Sequence, residues 1–147
     1  MDLDNILYFA YGSNMNRRQM QDRCPESEFR CKAFLDDYEF VFDGYSNKWG
    51  GAVANVVQKT ASTVEGVIYK LTNSDLNKLD KFEGINVAYD REELIAHDEG
   101  GASYAVYVYK RTGQKIGHPS KSYRNTLISG AKECGLSQRY IEQVLEK

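Results

Sequence analysis

Four residues with small or polar side chains follow a hydrophobic run near the start of the chain, and their backbone is suited to binding an anion. The run ILYFA, residues 6–10, leads directly into Tyr11, Gly12, Ser13 and Asn14. Successive backbone N–H groups at a strand end form a small concavity for a carboxylate or a developing oxyanion. The same pattern is typical of a plain turn in which Ser13 or Asn14 caps a following helix. The residues alone leave both interpretations open.

A single carboxyl group, Glu83, is the second candidate for chemistry. The segment LDKFEG predicts that Glu83 lies in the last turn of a helix, directly before Gly84, which ends it. The negative end of the helix dipole and partial burial would raise the pKa of this carboxyl from its usual value of about 4.3 toward neutrality, as a general base requires. A surface glutamate that lies there by chance is the alternative interpretation.

Strand tyrosines in the segment SYAVYVYK are the third candidate. The two-residue period of a strand places Tyr107 and Tyr109 on one face and Tyr104 on the other. Most tyrosines in strands are packing residues, but one whose hydroxyl points into a cavity orients a substrate or relays a proton.

Conventional nucleophile and metal motifs are missing from the sequence. His97 and His118 are the only histidines, and neither belongs to such a motif. Cys24, Cys31 and Cys134 lack the CxxC spacing of a zinc or redox site, so we expect free thiols in a reducing compartment, with no metal and no cofactor. Any reaction here should need only positioning and one proton shuttle.

The composition excludes several classes of protein. The chain has 147 residues, the size of one domain, and we expect a single domain over residues 1–147. Its 19 basic and 21 acidic residues give a net charge of −2 without a block of like charges, so nucleic acid is not an expected partner. No apolar run approaches the roughly 20 residues that cross a bilayer, and MDLDN lacks a secretory signal. We therefore expect a soluble, cytoplasmic protein without a membrane partner.

The elements that must position these candidates are mostly strands. Eleven tyrosines and six phenylalanines against two prolines favour a sheet-rich fold. Branched and aromatic runs predict strands at residues 6–10, 38–42, 52–57, 64–71, 88–97 and 103–110. The segment DEGG predicts that the last two form an antiparallel hairpin.

Helix signals are fewer and come later in the chain. Periodicity predicts a helix over residues 74–82 with Ser74 as cap, and a second helix after Pro119 that Ser120 or Ser122 caps and Gly135 ends. A third helix is expected from Ser137. Strands first and helices later, without regular alternation, favour an α+β fold.

Several segments occur together in an order that is typical of one enzyme family. They are YFAYGSNM, Arg23-Cys24-Pro25, WGGAVA, VEGVIYKL, NSDLNKLDKFEG and GAKECGL. Over nearly its whole length the sequence resembles the γ-glutamylcyclotransferase family, including the AIG2-like proteins. The WGG and GAKE segments resemble the γ-glutamylcyclotransferase branch more than the glutathione-specific ChaC-like branch.

The resemblance implies a fold, a reaction and roles for particular residues. The implied fold is a small mixed β-barrel with flanking helices, and the implied reaction releases 5-oxoproline from a small-molecule γ-glutamyl substrate. By resemblance, the turn of Tyr11, Gly12, Ser13 and Asn14 holds the γ-glutamyl group, and Glu83 is the acid/base. A strand tyrosine also lines the site, assigned as Tyr107 with Tyr109 as the alternative.

This reaction suits a chain without its own nucleophile, because the α-amine of the substrate attacks its own γ-amide carbonyl. Two other functions stay open at this point. One is a non-catalytic domain that binds a small anionic metabolite, and the other is a biosynthetic tailoring enzyme that removes a γ-glutamyl protecting group. The loops at residues 43–51 and 112–119 are expected to form the leaving-group side of the pocket.

Overall fold

A closed five-stranded β-barrel with four flanking helices makes up the described part of the chain. The computed structural model describes residues 6–83 and 89–147. The strands in these ranges are β1 (Ile6–Ala10), β2 (Glu28–Ser46), β3 (Gly51–Leu71), β4 (Asp90–Asp98) and β5 (Ser103–Lys110). Around the barrel the order is β1-β3-β2-β4-β5. The β1–β5 pair is parallel and the other pairs are antiparallel, which confirms the predicted α+β fold with a mixed barrel.

The helices cover the barrel and begin at side-chain caps. They are α1 (Arg17–Arg23), α2 (Asn73–Glu83), α3 (Lys121–Glu133) and α4 (Gln138–Tyr140), the last continuing into a π-helical turn, Ile141–Leu145. Ser120 caps α3 by accepting a hydrogen bond from the Tyr123 N–H, and Ser137 caps α4, as predicted. Gly135, at φ +81°, follows α3 as its predicted stop.

Two predicted caps are wrong. Asn16, rather than Ser13 or Asn14, caps α1 by accepting from the Gln19 N–H at 3.1 Å, because the chain first makes a short 3₁₀ turn at Ser13–Met15. At α2, the Thr72 hydroxyl accepts from the Asp75 N–H at 3.0 Å, and Ser74 lies inside the helix. The predicted stop at Gly84 lies outside the described residues.

Strands β2 and β3 are much longer than predicted. The separate strands expected at residues 52–57 and 64–71 are one strand, and residues 28–37 belong to β2. Backbone pairing continues on both sides of the polar segment after Val57, with Tyr38 opposite Gln58 and Asp36 opposite Thr63 across a register shift. Because the side chains of this segment are mostly exposed, they give no hydrophobic signal that would have joined the two predicted strands.

The predicted bounds of β1 and β5 and the hairpin between β4 and β5 are confirmed. Asp98 accepts hydrogen bonds from the N–H groups of Gly100 and Ala102, both at 2.9 Å, and Gly101 has φ +89°. The start predicted for β4, at residue 88, lies outside the described residues. None of the described helices is long and apolar enough to cross a membrane.

Candidate active site

A cavity of about 430 Å³ lies where the turn after β1, the C-terminal end of α2 and the turn between β2 and β3 meet. It contains Glu83 and the whole predicted turn. The lining residues are Tyr8, Tyr11, Gly12, Ser13, Asn14, Arg23, Gly44, Tyr45, Ser46, Lys48, Trp49, Val53, Ala54, Phe82, Glu83, Tyr89, Tyr109, Arg111, Gln114 and Tyr123. The structure therefore brings together two candidates that lie about 70 residues apart in the sequence.

The turn after β1 lines this cavity and has two backbone donors without an acceptor inside the turn. Its first hydrogen bond runs from the Met15 N–H to the Gly12 carbonyl at 3.0 Å. The N–H groups of Ser13 and Asn14 precede that bond, so they have no acceptor within the turn. Both residues are buried at the cavity floor. The arrangement supports the anion-binding interpretation of the sequence pattern.

Hydrogen bonds to Asn14 hold this turn in one conformation. Its Nδ2 donates to the Tyr8 hydroxyl at 2.9 Å, and its Oδ1 accepts from Gln19 Nε2 and Arg23 Nη1, both at 3.0 Å. Its backbone carbonyl accepts from the Tyr69 hydroxyl at 2.9 Å. The side chain and the carbonyl of Asn14 thus hold the turn in place.

Gly12 lets the turn lie close to its neighbours. A Cβ atom on this residue would lie 3.1 Å from the Ala54 Cβ and 3.5 Å from the Tyr123 hydroxyl oxygen. That hydroxyl accepts a hydrogen bond from the Ala54 N–H at 2.9 Å. A larger residue would push the floor of the cavity away from β3 and α3.

Glu83 is the last residue of α2 and its side chain is half-buried in the cavity wall. Burial raises the pKa of its carboxyl to about 7, and the nearby charges of Arg23, Arg111 and Lys48 oppose that rise in part. The carboxyl thus titrates near neutral pH, where an acid/base group transfers protons in both directions. The sequence predicted the helix-end position and the direction of the shift.

Aromatic hydroxyls surround this carboxyl. Burial is the main cause of the raised pKa values of Tyr8 and Tyr89, and the negative charge of Glu83 is the next cause for each. The Tyr89 hydroxyl donates to the Ala54 carbonyl at 2.7 Å. These tyrosines therefore stay neutral at physiological pH, and both line the cavity together with Glu83.

Of the two strand tyrosines named from the sequence, Tyr109 lines the cavity and Tyr107 is not among its described lining residues. The ring of Tyr107 instead lies under the Arg91 guanidinium, 4.9 Å from its Cζ. The cavity lies beyond the C-terminal end of β5, so the tyrosine nearer that end reaches it. This placement favours the alternative, Tyr109, over the first assignment, Tyr107.

Tyr109 contacts both the helix α2, which carries Glu83, and the turn after β1. Its hydroxyl donates to Asp80 Oδ1 at 2.6 Å, one turn before Glu83 on α2, and Arg91 forms an ion pair with the other oxygen of Asp80. Its backbone carbonyl accepts from the Tyr11 hydroxyl at 2.5 Å. The helix end that carries Glu83 and the turn that follows β1 are therefore both fixed to β5.

The substitution Tyr109→Phe should lower the free energy of unfolding by about 1 kcal/mol, because it removes the bond to the partly buried Asp80 carboxylate. We expect Tyr107→Phe, the matched control, to change stability by less than about 0.5 kcal/mol. Urea unfolding of the two variants measures both values. Equal losses would contradict the anchoring role of Tyr109.

The opposite wall contains a buried ion pair that the sequence did not predict. Arg111 pairs with Asp43, whose other carboxylate oxygen accepts from Asn55 Nδ2 and the Gln114 N–H, both at 3.1 Å. The Arg111 guanidinium also lies over the Tyr89 ring at 4.5 Å. Only the barrel register brings these residues together, so no local motif could have identified them. Asp43 and Gln114 belong to the two segments expected on the leaving-group side, residues 43–51 and 112–119, whereas Arg111 and Asn55 lie outside those segments.

Within residues 6–83 and 89–147, no group of three or more His, Cys, Asp or Glu side chains is arranged to hold a metal ion. All three cysteines are free thiols.

Comparisons with known proteins agree with this fold. A model of the AIG2-like family matches residues 63–144. The chain is 33% identical over 148 residues to a γ-glutamylcyclotransferase of Homo sapiens, covering 97% of this chain and 79% of the relative. It is 32% identical to a γ-glutamylcyclotransferase of Mus musculus, covering 96% and 78%. A solved structure described as a γ-glutamyl cyclotransferase has a TM-score of 0.91 at 33% identity, covering 96% of this chain and 86% of that one.

The fold shared with that solved structure is the mixed five-stranded barrel with its flanking helices. The chain belongs to the γ-glutamylcyclotransferase family, among the AIG2-like proteins, as the sequence resemblance predicted.

Proposed function

We propose that the protein is a γ-glutamylcyclotransferase that releases 5-oxoproline and a free amine or amino acid from γ-glutamyl compounds. The observation that carries this proposal is that Glu83 and the turn at residues 11–14 line the same cavity, and that the pKa of Glu83 is raised to about 7. We further propose that the enzyme is a single domain over residues 1–147 and works in the cytoplasm, where its three free thiols stay reduced.

The turn after β1 would hold the γ-glutamyl group. The N–H groups of Ser13 and Asn14 bind the α-carboxylate or the oxyanion that develops on the γ-carbonyl. Small side chains allow the backbone itself to contact the ligand. Holding the substrate folded brings its α-nitrogen to its γ-carbon, and such intramolecular attack corresponds to effective molarities of about 10⁵ M or more.

Glu83 would move the proton that the reaction requires. Its carboxylate takes a proton from the α-ammonium, and the freed amine forms a C–N bond to the γ-carbonyl carbon. The protonated carboxyl then donates to the leaving nitrogen as the original amide bond breaks. The second proton lost by the ring nitrogen and the second gained by the released amine exchange with solvent, so the reaction involves no net proton change.

The direct test is to incubate the purified protein with γ-glutamyl dipeptides, γ-glutamyl amines and γ-glutamyl-lysine, and to measure 5-oxoproline. We expect release from at least one of these classes. Binding of these compounds without any 5-oxoproline would overturn the proposal in favour of a non-catalytic binding domain.

The rate should depend on pH through Glu83. Since the base must be ionised in the free enzyme, kcat/KM should rise with pH, reach half of its maximum near pH 7 and fall about tenfold per unit well below that. Initial rates between pH 5 and 8 at constant ionic strength measure this dependence. A profile that is flat over this range would contradict the role of Glu83.

A further inference from the structure

Positive charge is concentrated at the mouth of the cavity. Lys48 Nζ lies 5.7 Å and Arg23 Cζ lies 4.9 Å from the ring centre of Phe82, the residue directly before Glu83. Within residues 6–83 and 89–147 neither cation forms an ion pair with a carboxylate, whereas Arg111, deeper in the wall, is paired with Asp43. Among the described lining residues of the cavity there are therefore three cations, of which Arg111 alone is in an ion pair, and one acidic residue, Glu83, whose pKa Arg23 and Lys48 lower.

This positive surface continues outside the cavity. A shallow groove that shares Arg23 and Phe82 with the cavity is also lined by Asp22, Pro25, Lys78 and Lys81. An anionic group that leaves the cavity across Phe82 would therefore pass three cationic side chains of the groove, Arg23, Lys78 and Lys81, and one acidic one, Asp22.

The geometry of the reaction places the leaving group at this mouth. The γ-glutamyl part must lie at the floor, against the turn after β1, and the scissile amide must be within reach of Glu83. The leaving group, which is attached to the nitrogen of that amide, then lies over Phe82. This residue is 50% exposed. A carboxylate on the α-carbon of the leaving group would then come near the charges of Lys48 and Arg23, which both lie against the Phe82 ring.

The two cations differ in their freedom to bind substrate. Arg23 Nη1 donates a hydrogen bond to Asn14 Oδ1 at 3.0 Å and so helps to hold the turn at the cavity floor. Lys48 makes no hydrogen bond within the described residues, but its turn is well defined. The Gly50 N–H donates to the Ser46 carbonyl at 2.7 Å and the Trp49 N–H donates to the Ser46 hydroxyl at 3.2 Å.

We infer that Lys48 binds the carboxylate of the leaving amino acid and so makes the enzyme prefer γ-glutamyl amino acids to γ-glutamyl amines. This inference rests on the proposed function. Lys48 is exposed, so the ion pair is partly screened by water, and the preference that it supplies should be about fivefold in kcat/KM.

Two substrates that differ by one carboxylate test the inference. γ-Glutamylethylamine is γ-glutamylalanine without the leaving-group carboxylate, and kcat/KM is measured for both by 5-oxoproline release. Removal of the Lys48 charge also changes the pKa of Glu83, but that change affects both substrates alike. The ratio of the two kcat/KM values therefore isolates the contact between Lys48 and the leaving group.

We expect Lys48→Gln to lower the ratio of γ-glutamylalanine to γ-glutamylethylamine about fivefold. Lys48→Arg, which keeps the charge, should keep most of the ratio. Lys59→Gln is the matched control, because it removes an equal charge from an exposed ion pair with Glu39 on the β2–β3 ribbon, and it should also keep the ratio. An unchanged ratio in Lys48→Gln, with 5-oxoproline still released, would overturn the inference alone. No 5-oxoproline from either compound would overturn the proposed function and this inference with it.

Discussion

The substitution Glu83→Gln is expected to lower kcat for 5-oxoproline release by about a thousandfold, the order that general acid–base catalysis supplies. Glutamine is nearly isosteric with glutamate but cannot take the proton of the α-ammonium at neutral pH. The cavity and the turn at residues 11–14 should be unchanged, so KM should change much less than kcat.

Glu93→Gln is the matched control for this experiment. Glu93 is an exposed carboxylate on β4 and does not line the described cavity. We expect this variant to keep wild-type kcat. A Glu83→Gln variant with more than about a tenth of wild-type kcat would show that another group shuttles the proton, given the magnitude expected for this kind of catalysis.

Glu83→Gln should also change stability in a pH-dependent way. Burial raises the pKa of Glu83 from 4.5 to about 7, so between these values the folded state binds more protons than the unfolded state and the wild type loses stability as pH rises. The variant lacks this loss. At pH 8 it should be more stable than the wild type by about 3 kcal/mol, and below pH 4.5 the difference should vanish. Urea unfolding at the two pH values gives the comparison.

The second large effect is expected at Gly130, on the face of α3 that packs against the turn following β1. A Cβ atom here would lie 2.3 Å from the Asn16 backbone nitrogen and 2.5 Å from the Met15 carbonyl carbon. Overpacking of this kind costs up to about 3 kcal/mol, whereas the better helix propensity of alanine contributes only about 1 kcal/mol. Gly130→Ala should therefore be destabilised by about 2 kcal/mol.

This substitution should also lower activity, because Met15 ends the turn whose backbone lines the cavity floor. A displacement of about 1 Å there should reduce kcat/KM about a hundredfold. Ser129→Ala, at the neighbouring exposed position of α3, should leave stability and activity nearly unchanged. If Gly130→Ala were more stable than the wild type, helix propensity would outweigh the contact and the close packing would be contradicted.

Local signals were enough to predict the parts of the site that lie on single elements. The hydrophobic run of β1 ends at Ala10, as its pattern indicates, and Glu83 lies on α2, as its pattern also indicates. The hairpin between β4 and β5 follows from DEGG. Each depends on the chemistry of a few neighbouring residues, which a sequence displays directly.

The walls of the cavity depend on how distant strands pair in the barrel, so local sequence patterns could not predict them. Only the closed barrel brings Arg111 next to Asp43. It also brings the Tyr89 hydroxyl within hydrogen-bond distance of the Ala54 carbonyl. The choice between Tyr107 and Tyr109 depended on where β5 ends relative to the cavity, which strand alternation does not indicate. The cap of α1 moved to Asn16 because a 3₁₀ turn intervenes.

The most direct test of the central claim is a crystal structure of the Glu83→Gln variant with bound γ-glutamylalanine. We predict that the side chain at position 83 lies about 3 Å from the α-nitrogen of the substrate, within hydrogen-bond reach, with the substrate against the backbone N–H groups of Ser13 and Asn14. A side chain at position 83 that points to solvent, beyond hydrogen-bond reach of both the α-nitrogen and the scissile amide nitrogen, would contradict the account.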